Sequence, residues 1–238
     1  MELQAYNGYE MEGEGDSFVC AFHTASSAVR FAVELQEHLM QVPWNPRILQ
    51  TPWACNQYGM DGTRIFGGPR VSIGMCTGKA TRAQTCDRTG RMEYYGPLMN
   101  HSARVATAAH GGQTLLHEQT WQSLGSEEDR GRVVLSNMGA HKLKGISGTP
   151  RIFQASSAAV AGRVFPPIKT KTTGMKGPET ATYNGSNRSL FGIYNRYLAA
   201  ADGRPTVDVS ISGSAQSELF LLSGADIEPE ASGEDSSP

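Results

Sequence analysis

The segment that most constrains the fold of this chain spans residues 89–112, TGRMEYYGPLMNHSARVATAAHGG. It combines a Gly-Arg turn, an aromatic strand end, a Gly-Pro break and a short Ala-rich helix. Asn100 and Arg104 are four residues apart, so a helix places both side chains on one face near its N-terminus. An amide beside a guanidinium is well suited to holding a ribose and an anionic phosphoryl group.

A second cluster, GYEMEGEGDSFVCAF, spans residues 8–22. Two short apolar runs flank a Glu-Gly-Asp turn, which is typical of a β-hairpin with Asp16 at its tip or exit. A carboxylate held there by the backbone is a candidate Mg²⁺ ligand, because hard cations prefer oxygen donors. The plainer alternative is that Asp16 only favours the turn.

Composition excludes several classes of function. The net charge is −2 over 238 residues, so the chain has no electrostatic case for binding nucleic acid or an acidic membrane surface. Its four cysteines lack C-x-x-C spacing, which favours reduced thiols in a cytoplasmic setting. No apolar run approaches the roughly 20 residues needed to span a bilayer. We therefore expect a cytoplasmic segment without membrane contact, whose parent protein could still be membrane-anchored.

The pattern of the first 155 residues predicts an α+β sandwich. Thr24 offers an N-cap for an amphipathic helix that runs to about Val42, where Pro43 stops it. Residues 43–70 lack periodicity and are predicted to form a long loop. Strands interleave with helices and hairpins along the rest of this region. After the first hairpin, strands are predicted at 71–77, 91–95, 113–116, 133–138 and 151–154.

From residue 156 onward the composition changes to Ser, Gly, Thr and Pro, and the C-terminus becomes acidic. Such a composition cannot bury enough apolar surface to offset the entropy of ordering. We therefore divide the chain into a folded region, 1–155, and a low-complexity, largely disordered tail, 156–238.

Together the two clusters and three further segments resemble the catalytic domain of class III nucleotidyl cyclases, the adenylyl and guanylyl cyclases. The further segments are AVRFAVELQEHL, VSIGMCTG and GAHKLKGISGTPRIFQ, and all five occur in the family's order over residues 8–155. The resemblance implies a ferredoxin-like sandwich and formation of a 3′,5′-cyclic nucleotide and pyrophosphate for intracellular signalling. It also implies Mg²⁺ or Mn²⁺ as cofactor, and a second cyclase domain, in a homo- or heterodimer, as partner.

The resemblance assigns roles to four residues. Asp16 matches a metal-binding aspartate, Arg104 the arginine that stabilises charge on the α-phosphate, and Asn100 the residue that positions the ribose. Arg104 could instead be a surface residue, and Asn100 could cap its helix. Lys144 matches a lysine that reaches the terminal phosphates. Lys142 lies close enough in the sequence to be the matching residue instead. Lys144 could also be a solvated loop residue without a role in binding.

Two further positions concern the base. Four residues before the metal aspartate, adenylyl cyclases usually have Lys and guanylyl cyclases Glu, and this chain has Glu12. A carboxylate accepts from guanine N1–H and its amino group but faces the lone pair of adenine N1. Glu93 stands seven residues before Asn100. At this position adenylyl cyclases have an acidic residue that accepts a hydrogen bond from the adenine amino group. These positions disagree, and we favour GTP over ATP.

The family's domain starts with an apolar strand that is normally central and ends in a metal-binding Asp motif. Nothing upstream of the first hairpin matches it, so we expect an N-terminally truncated domain, either a fragment or a natural half-domain. Its sheet should then have a long unpaired edge. The alternative to an enzyme is a non-catalytic cyclase-homology dimerisation module.

Overall fold

The computed structural model describes residues 3–11, 17–88, 90–127, 131–170 and 216–223, the last of these by its backbone alone. Its helices and strands confirm the α+β prediction. The helices are α1 (Ala25–Gln41), α2 (Pro46–Leu49), α3 (Pro97–Ala108) and α4 (Glu118–Gln122), with 3-10 turns at Leu3–Tyr6 and Ala158–Val160. The strands are β1 (Gly8–Glu10), β2 (Phe18–Phe22), β3 (Gln57–Tyr58), β4 (Arg64–Phe66), β5 (Arg70–Thr77), β6 (Arg82–Thr85), β7 (Met92–Tyr95), β8 (Thr114–His117), β9 (Val133–Ala140), β10 (Arg151–Ser157) and β11 (Gln216–Ser223).

Helix α1 begins where the sequence predicts. The hydroxyl of Thr24 accepts a hydrogen bond from the backbone N–H of Ser27 at 3.1 Å, which satisfies one of the free donors of the first turn. The apolar stripe that includes Phe31 and Ala32 is buried against the sheet.

Seven strands form the main sheet, in the order β1-β2-β11-β5-β8-β10-β9. Strands β2, β11, β5 and β8 are parallel to one another, and β1, β10 and β9 add antiparallel pairs. Side chains of β5 alternate between the faces: Ile73 and Met75 pack with α1, whereas Cys76 packs with α3. The two long helices therefore cover opposite faces of one sheet.

The slot expected to be empty in the centre of the sheet is filled by β11. Phe220 of β11 is opposite Val19 of β2 on one side and Gly74 of β5 on the other. The expected long unpaired edge is therefore wrong for this structure. The prediction failed because this pairing joins segments far apart in sequence, which no local pattern signals.

The boundary at 155/156 is also too early. Strand β10 continues to Ser157, and the buried residues Val160, Arg163 and Ile168 hold the following segment against the body. The backbone N–H of Lys169 donates to the carbonyl of Ala108 at 3.0 Å. The folded unit thus extends at least to residue 170. The predicted disorder of residues 171–215 and 224–238 falls outside the described residues.

Residues 43–70 are more regular than the predicted loop. They contain α2 and the β3–β4 hairpin, and Trp44 is buried with its indole N–H donating to the carbonyl of Leu39 at 2.7 Å. This segment packs through Trp44, Ile48 and Ala54, whose spacing is too irregular to show a period.

Candidate active site

Helix α3 presents the predicted pair. Asn100 and Arg104 are both exposed, while Ser102 and Val105 face the sheet and are buried. Spacing of four residues places the amide and the guanidinium on one solvent-facing side of the helix. This is an arrangement that can contact a bound anion without disturbing the core.

The start of α3 is set by Gly96 and Pro97. Gly96 has φ +124°, a conformation that disfavours other residues, and a Cβ there would lie 2.3 Å from the hydroxyl oxygen of Thr81. Pro97 then occupies the first turn, where its missing N–H costs nothing. The Gly-Pro break therefore fixes how far along the helix Asn100 lies.

Gly74 sets the distance between α3 and the sheet, and sequence reasoning missed it. A Cβ on Gly74 would lie 2.0 Å from the backbone nitrogen of Ala106, so only glycine allows the helix to come this close. The hydroxyl of the buried Ser102 donates to the carbonyl of Gly74 at 3.2 Å. The available signal was a glycine inside an otherwise apolar strand, which often marks close backbone approach.

We expect Gly74→Ala to destabilise the protein by about 1–3 kcal/mol, because backbone on α3 cannot move aside as a flexible side chain can. A thermal melt should show the loss as a lower Tm. The matched control is Gly78→Ala, where the nearest atom is the end of the Leu98 side chain at 3.3 Å. Equal melting temperatures for both variants would contradict the close approach.

The β1–β2 hairpin is confirmed on both sides of its tip. Gly8 pairs with Phe22 and Glu10 with Cys20, and the backbone N–H of Met11 donates to the carbonyl of Val19 at 2.8 Å. The predicted tip, with Glu12 and Asp16, falls outside the described residues.

The flanks of the tip pack against the first turn of α3. Met11 and Ala21 are buried together, and Tyr94, Leu98 and Met99 pack against them. The structure thus brings the ends of the segment that carries Glu12 and Asp16 to the helix that carries Asn100 and Arg104.

A second hairpin, β6–β7, is joined to the first. The hydroxyl of Tyr9 accepts a hydrogen bond from the backbone N–H of Met92 at 2.6 Å, and Arg91 forms an ion pair with Glu10 at 3.3 Å. Both partners of the ion pair are partly exposed, so its contribution to stability is small. The ion pair between Arg91 and Glu10 holds β7 beside the β1–β2 hairpin.

Glu93 lies on β7, and its carboxylate already has a hydrogen-bond partner. Its carboxylate accepts a hydrogen bond from the hydroxyl of Tyr95, which also accepts from the side chain of Gln84 at 3.0 Å. The hydrogen bond from Tyr95 is the main cause that lowers the pKa of Glu93, with Cys86 adding to it. Glu93 is therefore an ionised acceptor held within its own hairpin.

Lys142 and Lys144 are both exposed in the loop between β9 and β10. Leu143 and Ile146 of this loop are buried against Val105 of α3 in one apolar cluster. The loop is thus anchored on the same helix as Asn100 and Arg104.

Among the described residues, no three His, Cys, Asp or Glu side chains are grouped so that they could hold a metal ion. In the sequence, the segment 12–16, which falls outside the described residues, carries the carboxylates of Glu12, Glu14 and Asp16. Carboxylates are the ligands that Mg²⁺ prefers, so this donor set fits that ion.

Residues 2–156 match the family described as the adenylate and guanylate cyclase catalytic domain. The chain belongs to this family. The cyclase resemblance seen in the five motifs is therefore confirmed, over nearly the same residues.

Relatives of this cyclase domain include an adenylate cyclase of Schizosaccharomyces pombe, 29% identical over 203 residues, which cover 76% of this chain and 12% of that protein. Receptor-type adenylate cyclase B of Leishmania donovani is 29% identical over 202 residues, covering 78% of this chain and 15% of that protein. The chain therefore spans between about an eighth and a seventh of the length of these two relatives.

A solved structure of adenylate cyclases from Trypanosoma brucei in their monomeric state has the same fold. Its TM-score is 0.58 at 26% identity, and the match covers 71% of this chain and 79% of that one. This similarity confirms the predicted class III cyclase fold. None of the helices in the described part of the cyclase domain has the length and apolar character needed to cross a membrane.

Proposed function

We propose that this cyclase domain forms a 3′,5′-cyclic nucleotide from a nucleoside triphosphate and releases pyrophosphate. The observation that carries the proposal is the exposed face of α3, where Asn100 and Arg104 stand together beside the β1–β2 hairpin. In this reaction the 3′-hydroxyl attacks the α-phosphate of the same molecule, so catalysis depends on positioning and on charge stabilisation.

Arg104 supplies the charge stabilisation. Its guanidinium donates to α-phosphate oxygens as negative charge builds there, a contribution of several kcal/mol when the donor is held in place. Asn100, one turn earlier, holds the ribose so that its 3′-hydroxyl faces the phosphorus. Gly74 supports both residues by setting the position of the helix.

Lys144 reaches the terminal phosphates from the loop that packs on α3 through Leu143. Asp16 would hold Mg²⁺ or Mn²⁺. The ion, when bound, neutralises triphosphate charge and favours deprotonation of the attacking hydroxyl.

A second cyclase domain completes the site, in a homo- or heterodimer. The exposure of Asn100 and Arg104 supports this arrangement, because side chains that work in a closed site need a cover that excludes water. The same surface serves the rival function, in which this domain lends its helix to a partner's site without turning over substrate itself.

For the base we propose guanine, read by Glu12. Glu93 is the competing reader, but its carboxylate is taken up by the hydroxyl of Tyr95. A carboxylate that already accepts a hydrogen bond gains less from a substrate amino group than it would if it were free. Under this proposal the product is cGMP.

The second candidate substrate is ATP. It is favoured by the relatives, since the matching proteins of Schizosaccharomyces pombe and Leishmania donovani are both named adenylate cyclases. In that case Glu93 leaves Tyr95 and accepts from the adenine amino group.

Glu12→Lys in the natural protein that carries this sequence should shift preference toward ATP. The ammonium donates to adenine N1, and a repulsive acceptor is removed at the same time, so the ratio of kcat/KM values should change by more than ~10-fold. The measurement is product formation from GTP and ATP in competition. Faster turnover of ATP than GTP by the unmodified protein would overturn the guanine proposal and make Glu93 the reader.

A further inference from the structure

A pair of histidines joins α3 to the start of α4. His101 directly follows Asn100 on α3, and its ring stacks against that of His117, with the ring centroids 6.1 Å apart and the planes inclined by 29°. His117 is the last residue of β8 and is 6% exposed. Neither imidazole has a part in the proposed cyclisation.

The protonation state of His117 is fixed by its role at the start of α4. The backbone N–H of Gln119 donates to Nδ1 of His117 at 3.2 Å, so the imidazole is the N-cap of this helix. A ring nitrogen that accepts a hydrogen bond carries no proton, and His117 is therefore neutral with its proton on Nε2. Protonation of Nδ1 would place two N–H donors against each other, so the ring would have to turn away.

The surroundings of His117 also favour its neutral form. Burial is the first cause that lowers the pKa of His117 below the ordinary histidine value of about 6.5; Glu118 opposes this shift and His101 adds to it. A histidine with a lowered pKa contributes its full stabilisation above that ordinary value. The contribution is lost as the pH falls below about 6.5, because the unfolded chain takes up the proton more readily than the folded one.

The groups that face His117 do not offset a positive charge there. The carboxylate of Glu118 is shared, since it accepts from the backbone N–H of Arg151 at 3.4 Å. Cys76 is a neutral thiol because burial raises its pKa. The charged and titratable groups on the elements packed around His117 are His101 on α3, Glu118 on α4, Cys76 on β5, Arg151 on β10, and His141, Lys142 and Lys144 in the loop that follows β9.

The contact between the two rings lies beside the substrate face of α3. His101 precedes Arg104 by three residues, so on a helix the two side chains are neighbours. His101 is half-buried, whereas Asn100 and Arg104 are exposed. If the ring of His117 turns, His101 loses the surface on which it packs. The turn of α3 that carries Asn100 and Arg104 then loses this support.

We propose that His117 is a proton-sensitive positioning residue for Asn100 and Arg104. In its neutral form it caps α4 and supports His101, and on protonation it gives up both contacts. The substrate face of α3 is then less well fixed, and a nucleoside triphosphate binds less tightly at acidic pH. This inference rests on the proposed function only in naming the triphosphate as the ligand.

The first test needs no nucleotide. In the full chain labelled with ¹⁵N-asparagine, NMR follows the side-chain amide of Asn100 between about pH 7.5 and 5.5, and Asn100→Ala assigns the signal. The signal should move with falling pH in the unmodified chain and stay in place in His117→Asn, whose side-chain oxygen still caps α4 but takes up no proton in this range. His117→Ser, which also caps, is the second variant. A signal that moves equally in all three proteins, or in none, would overturn the proposal.

The second test measures the Kd of non-hydrolysable GTP and ATP analogues over the same pH range. Protonation of the nucleotide affects every variant equally, so the unmodified chain should lose at least ~3-fold more affinity than His117→Asn. The matched control is His110→Gln at the other end of α3. Burial also lowers the pKa of His110, but its Nε2 lies 3.0 Å from the carbonyl oxygen of Pro167. This variant should keep the pH response of the unmodified chain.

The outcomes separate this proposal from the proposed function. Equal losses of affinity in the unmodified chain and in His117→Asn, or a response that disappears in His110→Gln, would contradict the role of His117. No binding of either analogue at about pH 7.5 would contradict the proposed function instead, and the movement of the Asn100 signal would then decide the role of His117.

Discussion

Arg104→Ala should reduce turnover by on the order of 10²–10³ in the natural protein that carries this sequence. The lost interaction is charge stabilisation that develops in the transition state, so kcat should fall more than KM rises. Arg104 is exposed on α3 and lies outside the buried clusters, so the Tm should remain close to that of the unmodified protein. Steady-state rates and a thermal melt of the same preparation measure both quantities.

The matched control is Arg47→Ala, which removes an exposed arginine from α2, an element that packs in a separate cluster with Trp44. It should leave both kcat and Tm unchanged. If Arg104→Ala turned over substrate as fast as Arg47→Ala, Arg104 would have no part in the reaction.

Asp16→Asn should lower activity by on the order of 10²-fold and raise the concentration of Mg²⁺ or Mn²⁺ needed for half-maximal rate. A neutral amide is a poor ligand for a hard cation, and the charge stabilisation that a bound ion provides is worth several kcal/mol. The measurement is the rate as a function of metal concentration at saturating nucleotide.

Asp61→Asn provides the comparison for the metal experiment. Asp61 also lies in a hairpin turn, where its carboxylate accepts from the backbone N–H of Thr63 at 3.0 Å. Its loss should weaken that turn without changing the metal requirement. A normal metal response in Asp16→Asn would show that Asp16 is only a turn residue.

The parts of the site that sequence reasoning predicted are those encoded by local pattern. The four-residue spacing of Asn100 and Arg104, the Gly-Pro break before them and the N-cap at Thr24 each act within one or two turns of helix. The β1–β2 hairpin likewise follows from alternation around a Gly-rich turn. Local rules therefore sufficed to identify the helix and the hairpin that flank the candidate active site.

The features that sequence reasoning missed depend on contacts between distant segments. The strand β11 fills its slot by pairing with β2 and β5, which lie far upstream. Gly74 matters because Ala106 approaches it, and the buried Arg163 donates hydrogen bonds to Gln36 and Gly112, which lie far upstream. The periodicity of a sequence does not predict which distant residues come into contact, because those contacts form only in the complete fold.

The most direct test of the cyclase proposal is to identify the product. The natural protein that carries this sequence is incubated with GTP or ATP and Mn²⁺ or Mg²⁺, and phosphorus NMR follows the reaction. We predict equal amounts of 3′,5′-cyclic nucleotide and pyrophosphate, with both signals lost in Arg104→Ala and kept in Arg47→Ala. If the protein binds nucleotide but forms no cyclic product with either metal, this domain is a non-catalytic module and the proposal is wrong.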